Sequence, residues 1–136
     1  MNLFDRDHPE KITSARLALA HVTIELGAAC EYHDLEGFDG AIRETSFAAL
    51  DLARYREIRD QADTPEAESE LQSCCDRLAE ANSAYLASDY QSARKVLAFA
   101  SGHLDRYLQT LGPSFADLQE DLLPLIATAG EGESQH

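Results

Sequence analysis

Apolar residues recur every three or four positions through four long stretches of the chain, a spacing that predicts helices buried along one side. From about His8 to Tyr32, the residues Ile12, Ala15, Leu19, Val22, Leu26 and Ala29 form one stripe, widened by Leu17, Ile24 and Ala28. A second helix, with Asp39 as N-cap and running to about Gln61, aligns Ile42, Thr45, Ala48, Ala49, Leu52 and Tyr55. Phe47, Leu50 and Ile58 broaden that stripe. A third follows Asp63 and extends to about Leu86, with Ala67, Leu71, Cys74, Leu78, Ala81 and Tyr85 on its apolar face. The fourth, from Tyr90 to about Leu111, carries Ala93, Leu97, Ala100, Leu104, Tyr107 and Leu111. No segment alternates with period two for more than a few residues, so no strand is expected.

The punctuation agrees with these spans. Asp7-His8-Pro9-Glu10 and Asp63-Thr64-Pro65-Glu66 share the pattern of a capping acid, a first-turn proline and a second acid. Such residues satisfy orphan N–H groups and favour the positive end of the helix dipole. Glu36-Gly37-Phe38-Asp39-Gly40 and Ser88-Asp89 are tight corners, and Gly112-Pro113 stops the fourth helix. A short fifth helix is expected from Ser114, with Phe115, Leu118, Leu122, Leu125 and Ile126 on one side until Pro124 kinks or ends it. Short corners between long helices make neighbours antiparallel. The predicted fold is all-α, an antiparallel four-helix up-down bundle with a short C-terminal fifth helix. Residues 1–128 form its single domain, and residues 129–136 form an acidic, disordered tail.

Charge adds a second feature. Against 11 Lys and Arg stand 25 Asp and Glu, a net charge of −14. From Glu57 to Asp76 seven acids meet only Arg59, and after Arg106 there are five acids and no base. That field repels nucleic acid and anionic membrane, and attracts basic partners over a screening length of about 8–10 Å. No window approaches the ~18 continuous apolar residues of a membrane span, and no basic-then-apolar leader opens the chain. Cys30, Cys74 and Cys75 are odd in number, and adjacent Cys74 and Cys75 do not easily bridge. Reduced thiols and a cytoplasmic setting are expected.

Candidate chemistry is sparse. His21 and Glu25 share a helix face four residues apart, and with His33 and His103 they are the candidate metal ligands. A carboxylate-bridged di-metal bundle needs a Glu-x-x-His pair on each of two helices, which the chain lacks, so no metal or cofactor is expected. Arg16 and His21 read R-x4-H, which resembles the ribonuclease motif of HEPN domains. The resemblance covers two residues and the helical class, and implies RNA cleavage by Arg16 and His21. The motif departs in carrying Leu17 after the arginine and in lying on the first helix. Ser88-Asp89-Tyr90, Ala93, Leu97 and Ala100 look like the corner of one tetratricopeptide unit, where small residues let two helices approach. No similar segment lies about 34 residues upstream, the period of that family, so the corner reads as a generic tight hairpin. By helical phase one of Cys74 and Cys75 faces the core.

The expectation is a non-enzymatic module that binds another protein with a basic or amphipathic surface. In size, charge and helix content the chain resembles flagellar and secretion chaperones, and equally acidic inhibitors of basic proteins. Glu66, Glu68 and Glu70 on the third helix, and Phe115, Asp117, Leu118, Glu120, Asp121 and Leu122 on the fifth, are the expected contacts. Two alternatives stand beside it. One is a metal-binding or RNA-cleaving bundle using His21 with Glu25 or Arg16. The other is a structural homodimer meeting through Phe47, Leu50 and Ile58.

Overall fold

A computed structural model describes residues 9–59 and 64–110, with side chains from residue 15 onward. Four helices follow one another: α1 (Pro9–Asp34), α2 (Phe38–Ile58), α3 (Pro65–Leu86) and α4 (Tyr90–Thr110). α1 packs mainly on α2 and α3 mainly on α4, and the two hairpins join through α2–α3 and α1–α4 contacts. The architecture is therefore the expected antiparallel four-helix bundle. The expected fifth helix and acidic tail lie outside the described residues.

The stripes form the core. Leu19, Val22 and Leu26 of α1, Leu52 and Tyr55 of α2, Leu71 and Leu78 of α3, and Leu97 and Tyr107 of α4 are fully buried. Cys74 is buried among them, and burial pushes its thiol up to about 12. All three cysteines are free thiols. Two of the residues expected to widen the α2 stripe face outward instead, Phe47 at 45% and Leu50 at 67% exposure. Ile58 packs against the core. Among the described residues no helix is long and apolar enough to cross a membrane.

Four helix boundaries differ from expectation. α1 continues through His33 and Asp34 rather than ending at Tyr32. α2 begins at Phe38, and its N-cap is Gly37, so Asp39 lies in the first turn. The α2 C-cap is Arg59, short of Gln61, which lies outside the described residues. The N-cap of α3 is Thr64 rather than Asp63: its hydroxyl accepts the Ala67 N–H at 3.0 Å. Pro65 explains the shift, because the residue before a proline is driven to extended backbone, which is the N-cap conformation. Thr64 has φ −150° and ψ 162°.

The two corners are built alike. At the first, the Glu36 N–H donates to the His33 carbonyl at 2.9 Å and the Gly37 N–H to the Tyr32 carbonyl at 2.8 Å. At the second, Ser88 donates to Tyr85 at 3.0 Å and Asp89 to Ala84 at 2.8 Å. Both are Schellman closures, which need a left-handed residue. Glu36 (φ 62°) and Ser88 (φ 58°) supply it although neither is glycine. Glu36→Gly and Ser88→Gly are each expected to stabilise the protein by about 0.5–1 kcal/mol, read as a higher urea midpoint. Gly40 serves a different need: a Cβ there would lie 2.8 Å from the Tyr32 ring, so its absence lets that ring lie on the α2 backbone.

Candidate functional site

The corner end of the bundle holds the most developed surface. Phe38 and Tyr90, the first residues of α2 and α4, stack face to face with ring centroids 4.3 Å apart. His33 meets the edge of Phe38 at 5.0 Å, and its Nδ1 lies 2.7 Å from the Tyr85 hydroxyl. Burial, and then the charge of Arg94, hold the His33 pKa below 6.5. Burial raises the Tyr85 phenol to about 12. The phenol donates to the imidazole in the tautomer whose proton is on Nε2. NMR titration of His33 is expected to report a midpoint below 6.5, and Tyr85→Phe is expected to change that midpoint. On one flank Arg94 of α4 clasps Asp34 of α1 with two bonds, at 2.7 and 3.1 Å. The hydrogen bond from Arg94 holds the Asp34 carboxyl below its ordinary value.

On the opposite flank lies a groove between α2 and α3, about 260 Å³ in volume and lined by Ile42, Ser46, Asn82, Tyr85 and Leu86. Leu86 is 89% exposed at its lip. Across the corner a shallower concavity of about 470 Å³ is bounded by Tyr32, Phe38, Tyr90, Glu36, Asp39 and Arg43. Glu31, Glu36, Asp39 and Asp89 are exposed around this end. The stripe pattern does not by itself reveal the groove. Its one signal in the sequence is Leu86, an apolar residue at the last turn of α3, off the buried stripe.

The acids expected to meet a partner are placed differently. Glu66 is exposed. Glu68 turns inward: it takes a hydrogen bond from Arg56 at 2.7 Å and one from Arg59, whose side chain is nearly buried. Burial pushes the Glu68 carboxyl up, but Arg59 and Arg56 outweigh it and hold it below the ordinary range. Glu70 is held low by hydrogen bonds from His103 at 2.8 Å and Arg106 at 3.1 Å. Two of the three acids thus tie α3 to its neighbours. Phe115, Asp117, Leu118, Glu120, Asp121 and Leu122 lie outside the described residues.

The candidate metal ligands are dispersed. His21 is exposed, His33 belongs to the aromatic cluster and His103 to the Glu70 pair. Glu25 turns toward Asp51 of α2, and no three His, Cys, Asp or Glu among the described residues are arranged to hold an ion. Arg16 is half-buried and His21 exposed. Five helical residues apart, they point about 140° from one another. Compared with protein-family models, curated proteins and solved structures, the chain matches none.

Proposed function

We propose that the protein is a non-enzymatic binding module whose partner is a protein segment carrying an apolar side chain flanked by basic residues. The observation that carries this reading is the α2–α3 groove: an apolar slot with Leu86 displayed at its lip, at an end ringed by exposed acids. One large apolar side chain would fill the slot, and the acids together with the net charge of −14 would hasten encounter with a basic flank. Chaperone, adaptor and inhibitor are all roles such a surface would serve.

Peptide-display selection on the full chain, counter-selected on Leu86→Asp, tests the reading. Enriched peptides are expected to share an apolar anchor beside Lys or Arg, and to bind wild type at least tenfold more tightly than the variant. Their affinity should fall as salt rises. Enrichment of peptides with no common chemistry, or equal binding to the variant, would contradict it. Self-association is a second reading, favoured by the exposure of Phe47, Leu50 and Phe99. Sedimentation at rising protein concentration would show it as a growing dimer fraction.

A further inference from the structure

Three aromatic contacts join residues separated by one constant interval. His33 bonds Tyr85 and the Tyr55 hydroxyl bonds that of Tyr107, both across 52 positions. Phe38 stacks on Tyr90 at the same interval, with the ring planes 1° apart. The interval recurs in the cores: Leu19 and Leu71, Leu26 and Leu78, Ala41 and Ala93, Ala48 and Ala100, and Leu52 and Leu104 are identical pairs, buried in both members. It recurs in the backbone too. Four corner bonds have their counterparts: Leu35 to Glu31 beside Ala87 to Ser83, Glu36 to His33 beside Ser88 to Tyr85, Gly37 to Tyr32 beside Asp89 to Ala84, and Ala41 to Gly37 beside Ala93 to Asp89. The two left-handed residues, Glu36 and Ser88, are likewise equivalent.

A residue that touches its own equivalent must lie beside the axis relating the two copies. His33–Tyr85 and Phe38–Tyr90 mark that axis at the corner end, and Tyr55–Tyr107 marks it near the far end. The helix packing obeys the same rule: α2 packs on α3 as α4 packs on α1, and the diagonal pairs, α1 with α3 and α2 with α4, meet through these side chains at the axis.

From this we infer that the chain is two copies of one helical hairpin, α1–α2 and α3–α4, related by a pseudo-twofold axis running along the bundle, and that the α2–α3 groove is the open version of the seam clasped between α4 and α1. At the clasped seam stand Arg94 and Asp34. At the equivalent positions of the other seam stand Ile42 and Leu86, and these two line the groove. The copies share their core and differ at this seam, so recognition of an apolar anchor is assigned to the α2–α3 side alone. That last step rests on the proposed binding function; the duplication does not.

The test is a double-mutant cycle in the full chain with Ile42→Arg, Leu86→Asp and both together, read by urea unfolding. Each single change places an unpaired charge at the groove and is expected to lower the midpoint. If the seams are equivalent, the pair rebuilds the clasp. The unfolding constant of the double variant should then be about two- to fivefold smaller than the singles predict by multiplication. Multiplicative behaviour would overturn the equivalence. A second double variant, His33→Tyr with Tyr85→His, exchanges the contents of two equivalent positions. The transplanted imidazole should again titrate below 6.5, and titration at or above 6.5 would count against the axis. Peptide binding to the I42R/L86D chain separates the two claims. Coupling with retained binding would remove the groove's role and leave the duplication. Lost binding without coupling would remove the duplication and leave the groove.

Discussion

Glu68→Ala is expected to cost about 2–3 kcal/mol of folding stability, although the substituted residue stands in an acidic run and is only partly buried. Its carboxylate is the shared acceptor of Arg56 and Arg59, and the Arg59 side chain is only 5% exposed. Taking the carboxylate away leaves a nearly buried guanidinium without that partner, the situation in which loss of an ion pair is expensive. The stacked arrangement of Arg59 over the Tyr55 ring moderates the loss. Arg56→Ala should cost less, about 1 kcal/mol, since Arg56 is 30% exposed and Glu68 keeps Arg59. Urea unfolding followed by circular dichroism measures both. A Glu68→Ala cost below about 0.5 kcal/mol would mean that Glu68 is not what holds Arg59, contrary to the role assigned to it.

Glu25→Gln is expected to stabilise the protein at high pH and to have little effect at low pH. Burial, a hydrogen bond with Asp51 and the charges of Asp51 and Glu44 raise the Glu25 carboxyl from 4.5 to about 8. One of its oxygens is buried without a hydrogen-bond partner among the described residues. The folded protein therefore keeps this proton over a range where the unfolded chain has released it. Unfolding releases a proton in that window, so wild-type stability declines as pH rises from 4.5 to about 8. Below 4.5 both states are protonated and the acid and amide behave alike. Above about 8 the charged acid is penalised in the fold and glutamine is not. The difference should grow to about 1–2 kcal/mol, a value reduced for solvent screening at this half-buried position. Unfolding of both proteins across that range is the check, and a pH-independent difference would contradict the assignment.

These two sites show where the sequence is legible and where it is not. The stripe of Leu19, Val22 and Leu26 and its counterparts are legible because helical periodicity reports directly which side is removed from water. The corners are legible from Gly37 and from Ser88-Asp89, whose residue types suit tight closures. The role of Glu68 is not, because its position in an acidic run marks it as solvated surface. Only the approach of α2 puts Arg56 and Arg59 opposite it. The same holds for Glu70, claimed by His103 and Arg106 from α4. Asp63 is a reasonable cap by type, but Pro65 fixes the preceding residue in the capping conformation, so Thr64 takes the role.

The duplication is hidden for a simpler reason. The corner at Ser88, Ala93 and Ala100 suggests a repeat about 34 residues long, and at that distance nothing corresponds. Helices of 21 to 26 residues make a longer unit, and its interval of 52 emerges once the aromatic pairs are seen in contact. Even then agreement is concentrated at buried positions and corners. Most exposed positions diverge, as expected where packing imposes little constraint, with Phe47 and Phe99, and Arg54 and Arg106, as identical exposed pairs. Ile42 and Leu86 diverge from Arg94 and Asp34 at the seam where a function is proposed.

The most direct measurement of that proposal is hydrogen–deuterium exchange of the full chain with and without a peptide selected on it. Binding in the groove predicts slowed exchange confined to the first turns of α2, around Ile42 to Ser46, and the last turn of α3, around Asn82 to Leu86, with the Arg94–Asp34 seam unchanged. Protection centred on the first turns of α3 at Glu66 to Glu70, or spread equally over both seams, would contradict it.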